Sequence, residues 1–271
     1  MSQQIKDAIE LALLNDEGLL IGRNGSTELE VILRGSSFEQ HIYNTGIWPL
    51  TKNSLEEYRT AAINATLASD FLATGWYAPL AEEEEEFLRA APAALTKINL
   101  TALEPYFSDK RSRWINCLEE QKVAIVSPFA HTCTDQYNKR HLIWPNGLLP
   151  NMTICPIVTG YPPSIAKGSC EWSEDIRKWQ DAVDYIVNEV IKSGARIAVI
   201  GCGALGMIAG SKLKEKGIIV IVMGGALQVL FGLKGARWAN HPIISSFWND
   251  AWIYPLCRPA NYGIIEGGCY W

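Results

Sequence analysis

The chain has 271 residues, of which 48% are hydrophobic and 20% charged, with a formal charge of −5. That length is enough to bury a full core as one large domain, and the acidic balance excludes a nucleic acid as the main partner, since phosphate-backbone affinity comes from clustered Lys and Arg. No apolar run is long enough to span a bilayer, residues 1–7 lack the pattern of a signal peptide, and the seven cysteines are scattered with no CxxC pair; a cytoplasmic, reducing setting without disulfides or zinc is expected.

In chain order, residues 3–15 read as an amphipathic helix, 18–23 as a short buried strand ending in a turn, and 27–33 as a second helix. From 54 to 106 the pattern is helical, broken near 76–79, and it carries the acidic run 82–86, expected as a solvated helix start. Residues 54–110 are thus expected to form a helical insertion within a single domain spanning 1–271. Strand and helix then alternate: helix 111–120, strand 123–127, helix 134–141, strand 153–158, helix 173–193, strand 196–200, helix 205–216, strand 218–223 and helix 226–231. This alternation predicts an α/β fold, a Rossmann-like and mostly parallel sheet flanked by helices. The strands are apolar throughout, as expected when both sheet faces are covered. The closing segment 238–271 is rich in rings, Gly and Pro, and is expected to wrap over the sheet edge or the site.

Ligands of open parallel sheets bind beyond the carboxyl ends of the strands, which singles out four turns. The first, residues 22–28, places Arg23, Gly25 and Glu28 where strand gives way to helix. Thr27 and Glu30 fit a capping box; Glu28 is a candidate ligand for Mg or Mn, and Arg23 a candidate partner for a diphosphate. In the second turn, 127–136, Ser127 and the free amides of the next helix are suited to phosphate oxygens, Phe129 to stacking on a base, and Gln136 to the same ligand; His131 and Asp135 are candidate general bases.

The third turn is a glycine fingerprint, Val-Ile-Gly-Cys-Gly-Ala-Leu-Gly over residues 199–206. It resembles a dinucleotide site, but the acid that would hold the ribose is missing, because no Asp or Glu occurs between Glu215 and Asp250. No NAD is therefore expected. The fourth turn holds Gly224, Gly225 and Gln228, so that with Gly201 and Gly203 two successive strands offer bare backbone to one extended ligand. Just beyond, Lys234 and Arg237 are candidates to neutralise a diphosphate. Later, Asp250 and Glu266 each stand among aromatic residues, the composition of a carbohydrate site, and join the candidate bases; Trp248, Trp252 and Tyr262 are candidates for a sugar or acceptor wall.

The Arg23-x-Gly25-x-x-Glu28 segment resembles the Arg-x-Gly-Asp-x-Glu element of the GT-D type glycosyltransferases, with Ser26 standing where that pattern has Asp. Further stretches, 126–129, 201–203, 223–228 and 266–271, resemble bacterial and large-DNA-virus proteins similar to that group. The likeness covers most of the chain outside 54–110. It implies a Rossmann-like glycosyltransferase that moves a sugar from a nucleotide sugar, a UDP-sugar first among them, to a glycan or glycan-precursor hydroxyl, with Mn or Mg held through Glu28. Two alternatives stay open on the residues alone: an NAD- or SAM-dependent enzyme using the glycine turn in the ordinary way, and an inactive carbohydrate-binding or assembly protein.

Overall fold

A computed structural model describes residues 1–35, 46–162, 166 and 170–271. Seven strands form one sheet: β1 (Leu19–Gly22), β2 (Phe71–Ala73), β3 (Thr96–Ile98), β4 (Lys122–Ser127), β5 (Thr153–Val158), β6 (Ile197–Ile200) and β7 (Ile219–Val222). Every pairing is parallel, in the order β3-β2-β1-β7-β6-β4-β5. The α/β fold expected from the alternation is the one formed.

The helices are α1 (Ser2–Asn15), α2 (Ser26–Arg34), α3 (Lys52–Leu67), α4 (Ala81–Phe87), α5 (Leu100–Leu103), α6 (Ala130–Tyr137), α7 (Arg140–Ile143), α8 (Trp179–Ser193), α9 (Leu205–Glu215), α10 (Ala226–Leu230) and α11 (Ala236–Ala239). They divide between the two faces of the sheet. Successive residues of a strand point to opposite faces, so Val123 and Ile125 of β4 join one core while Ala124 and Val126 join the other. The first core takes in Ile5 and Ile9 of α1, Cys133 and Tyr137 of α6, and Trp252 and Trp271 of the closing segment; the second takes in α3, α8 and α9. Helix α8 shows why it lies there: Trp179, Ala182, Val183, Ile186, Val187 and Val190 recur at helical spacing and are all buried.

Connections from β4 and β6 leave in opposite directions, β4 toward β5 at one edge and β6 toward β7 at the centre. A crevice opens at such a switch point beyond the strand ends, between the turns that follow β4 and β6.

Several local expectations are corrected. The stretch read as helical from 54 to 106 contributes β2 and β3; β2 pairs with β1 through Ile21–Phe71, and β3 with β2 through Phe71–Thr96. Three residues show no usable period; the neighbouring strand, together with the Asp70 carboxylate that accepts from the Leu20 amide at 2.8 Å, makes them strands. Residues 111–120 form only a short 3-10 helix, Trp114–Leu118. In the acidic run Glu84 is buried, with its carboxylate accepting from the Gly75 amide at 2.8 Å, so the run is not wholly solvated. Thr27 does not cap α2: the helix begins at Ser26, with Gly25 as its N-cap and Glu28 in its first turn. Finally, Cys170 and Cys257 form a disulfide across 87 residues, so the chain is not free of cystine.

Candidate functional site

The turns after β1, β4, β6 and β7 all open into one cavity of about 480 Å³. The two walls on which the sequence reading depends, Arg23–Glu28 and Gly201–Gly206, therefore face a common space, with the β7 turn between them. Those turns are in close contact: the Met223 amide donates to the Ile200 carbonyl at 2.9 Å, and a Cβ placed on Gly201 would stand 2.6 Å from the Gly224 carbonyl oxygen. Bare backbone at both positions lets the turns abut.

Two arginines rest on the β7 turn. Arg23 donates from Nε to the Met223 carbonyl at 3.4 Å, lies 4.7 Å from the Trp76 ring centroid, and would be 2.7 Å from a Cβ on Gly224, whose φ of +59° itself favours glycine. Arg237 packs equally close to Gly225, with Nη1 at 2.9 Å from a Cβ built there, and its charge is held by Glu266. It also stacks on Tyr270 at 4.9 Å, and the Tyr270 hydroxyl donates to Glu266 at 2.5 Å. Burial pulls the Arg237 pKa down, but Tyr270, Glu266 and Cys269 more than offset it, so Arg237 stays cationic at any working pH.

Glu28 folds back over its own turn, with Oε2 only 2.1 Å from where a Gly25 Cβ would sit. It is enclosed by protein yet keeps part of its surface on the cavity. Burial and the Glu266 charge raise its pKa to about 6, against the opposing pull of its backbone amide, Arg23 and Arg237. Cys202, between the fingerprint glycines, is pushed to about 12 by burial and by Glu28, and is therefore a neutral thiol rather than a nucleophile.

Of the remaining expected residues, Ser127, Phe129, Gly203 and Gln228 line the cavity. Ser127 accepts from the Phe129 amide at 3.1 Å, while Gln228 donates to the Tyr270 carbonyl at 3.0 Å and leaves its own oxygen without a partner. The others are not brought there. Gln136 spends its amide on the Gly232 and Ala251 carbonyls, and Trp252 is core, packed 5.4 Å from Trp144. His131, Asp135 and Asp250 are exposed away from the cavity, because their elements turn those positions to solvent. Lys234 lies over the Trp248 ring at 5.6 Å, and Tyr262 packs against Trp271 at 5.6 Å; none of these three lines the cavity.

The structure adds residues the sequence reading passed over. Glu104 lines the cavity after α5, is 7% exposed, and has its pKa raised to about 7 by burial, with Arg23 and Tyr106 opposing the rise. Trp76 and Tyr77, with ring centroids 5.8 Å apart, also line the cavity, as does Trp238, and the buried indole nitrogens of Trp76 and Trp238 have no partner. Past β5, Thr159, Gly160 and Tyr161 complete the opposite end; the Thr159 hydroxyl is buried and unpartnered. Applying the strand-end rule to Val158 would have found this last group, whereas nothing in the local pattern pointed to Glu104.

The fold and the cavity define a parallel α/β protein with a cavity at the carboxyl edge of its sheet. Among solved structures it is similar to one described as "The highly conserved domain of unknown function 1792 has a distinct glycosyltransferase fold", with TM-score 0.50 and 12% identity, covering 97% of this chain and 88% of that one. A selenomethionine-substituted structure of the same domain aligns over 82% of this chain and 77% of its own, at TM-score 0.48 and 12% identity. No family model and no curated protein matches the chain. The likeness to the first of these structures is one of fold.

Proposed function

We propose that the protein transfers a sugar from a nucleotide-sugar donor, with UDP-sugars foremost, to a hydroxyl of a carbohydrate acceptor. The observation that carries this reading is the pair of guanidinium groups, Arg23 and Arg237, packed on the Gly224-Gly225 turn inside a cavity that rings, bare backbone and the carboxyl groups of Glu28, Glu104 and Glu266 also line. Glycosyl transfer breaks the bond between the anomeric carbon and a phosphate oxygen, so the chief electrostatic demand is the charge that gathers on the departing diphosphate. Two fixed cations partly shielded from water meet that demand without reorganising. The nucleoside would lie toward the β4–β6 crevice, against Ser127, Phe129 and the Gly201 turn.

A divalent cation fits these residues only if the ligand shares in holding it. Among the described residues no group of three or more His, Cys, Asp and Glu is placed to cage a metal, Ser26 offers no carboxylate, and Glu266 is engaged by Arg237 and Tyr270. Glu28 would supply the protein oxygen and the diphosphate the rest, an arrangement suited to Mg and Mn, which favour oxygen ligands and keep substrate phosphates as partners. Bound there, the cation would add charge stabilisation to that of the arginines.

A thermal melt with UDP, GDP or CMP, each with and without Mn, tests the proposal. A ligand at about a hundred times its Kd stabilises by about 2.7 kcal/mol, which corresponds to a rise of roughly 5–10 °C for a chain of this size. The expected result is such a rise with at least one nucleoside diphosphate; no rise with any of the three overturns the reading.

A further inference from the structure

Resting on the transferase reading, we propose that Glu104 is the general base that takes the proton of the acceptor hydroxyl, in an acceptor subsite walled by Trp76 and Tyr77. The argument starts from the order of the strands. Beyond their carboxyl ends the cavity residues form a row: Tyr161 and Phe129 at the β5 and β4 end, the two arginines at the β7 and β1 centre, and Trp76 and Glu104 at the β2 and β3 end. Neighbouring strands are about 4.8 Å apart, so β5 and β3 themselves stand on the order of 10–15 Å from the β7–β1 centre, while Trp76 reaches back from the β2 end to 4.7 Å from Arg23. A diphosphate on the arginines with its base toward the β4–β6 crevice leaves the β2–β3 end for the reacting sugar.

That end has the chemistry of a carbohydrate site. Trp76 and Tyr77 line it with rings, whose flat apolar faces suit a sugar. The carboxylate among them differs from the other acids of the cavity. Glu28 is folded onto its own turn, and Glu266 is bound by Arg237 and Tyr270. Glu104 is buried, and the Tyr106 hydroxyl, near enough to influence it, forms no well-shaped hydrogen bond. The groups acting on its titration are Arg23 from the β1 turn and Tyr106; Tyr77 and His241 also line the cavity. A carboxylate poised at about 7 by burial is ionised often enough to accept a proton near neutrality and basic enough to draw one.

In the step, the acceptor O–H proton passes to a Glu104 oxygen as the acceptor oxygen bonds to the anomeric carbon. The bond from that carbon to the phosphate oxygen breaks, and its electron pair leaves on the nucleoside diphosphate beside Arg23 and Arg237. A single displacement of this kind inverts the anomeric centre.

The test compares the full chain with Glu104→Gln and Glu104→Asp, reading UDP affinity by calorimetry and UDP release from UDP-glucose, UDP-galactose and UDP-N-acetylglucosamine, with water as the smallest acceptor. The expected result is Kd for UDP within twofold of wild type in both variants, which also reports that they fold. Release by Glu104→Gln should fall about 100-fold or more in kcat, and the acid limb near pH 7 should vanish from its pH profile. Glu104→Asp should keep a weakened limb. Release by Glu104→Gln at more than a tenth of the wild-type rate overturns the assignment, as does a wild type that binds UDP but releases none from any of the three sugars. Failure of wild type to bind UDP, GDP or CMP overturns the transferase reading instead.

Discussion

Arg23 and Gly224 are matched across 200 residues of sequence: the guanidinium lies where a Cβ on Gly224 would come within 2.7 Å of Nη2, while Nε is tied to the neighbouring Met223 carbonyl. The glycine turn thus has a specific task besides reversing the chain, which is to seat a cation at the floor of the cavity. Gly224→Ala is expected to cost about 1 kcal/mol through its left-handed backbone and to displace Arg23 as well. Calorimetry should show UDP affinity weakened about tenfold or more, with a melting temperature only a few degrees lower. Unchanged affinity would detach the turn from the ligand.

Arg237 is held by Glu266 and Tyr270, so its removal strands a partly buried carboxylate. Arg237→Ala is expected to lower stability by about 1–3 kcal/mol and to abolish measurable UDP binding. Arg237→Lys keeps the charge but loses the planar fork, and should retain stability better than affinity. The two variants, compared by melting and by calorimetry, separate charge from geometry.

Glu104 makes stability depend on pH with a definite sign. Its folded pKa of about 7 lies above the ordinary 4.5, so the native state holds the proton more tightly than the unfolded chain does. The corresponding stability is fully present at acid pH below the unfolded value and is lost as pH rises through about 7. The shift amounts to about 3 kcal/mol between those limits. Glu104→Gln, neutral at every pH, should therefore melt several degrees above wild type at pH 8, with the gap closing by pH 5; a constant gap across that range would contradict the buried-acid assignment.

Glu28 gives the metal its own pH signature. With a pKa of about 6 it is ionised at pH 8 and mostly protonated at pH 5. If Mn adds to the stabilisation by UDP, that increment should fade as pH falls through about 6 and be absent in Glu28→Gln at all pH values. An increment that persists in the variant would assign the cation to other ligands.

The Cys170–Cys257 disulfide ties the segment beyond β5 to the closing segment, next to Trp271, whose indole donates to the Cys257 carbonyl at 2.8 Å. Closing a loop of 87 residues is worth about 4.5 kcal/mol in the chain-entropy account. Dithiothreitol should lower the melting temperature by roughly 9–18 °C, and Cys257→Ser should melt at the lowered temperature with no further response to reductant. A melt indifferent to dithiothreitol in the non-reduced protein would count against the bond.

The sequence carried the sheet's second half clearly because β4 to β7 are apolar runs alternating with long amphipathic helices, and there period and length agree. It failed at β2 and β3, whose three residues apiece become strands through the Asp70 contact and pairing, β2 with β1 and β3 with β2. The same failure hid Glu104, because a stretch read as helical was set aside as an insertion. Gly25, Arg23 and Glu28 were legible since a turn between strand and helix must use such residues to close and to cap. By contrast, His131, Asp135 and Asp250 show that an acid or a histidine in a promising turn says nothing about which side of the helix it faces. Trp248, Trp252 and Tyr262 make the related point for rings, since core and ligand wall draw on the same composition.

The most direct test of the central claim is a crystal structure of the protein grown with UDP. The account predicts the diphosphate within hydrogen-bond reach of both Arg23 and Arg237, and the uracil between the turns that follow β4 and β6. UDP bound with its phosphates away from the two arginines, or bound outside this cavity, would contradict it.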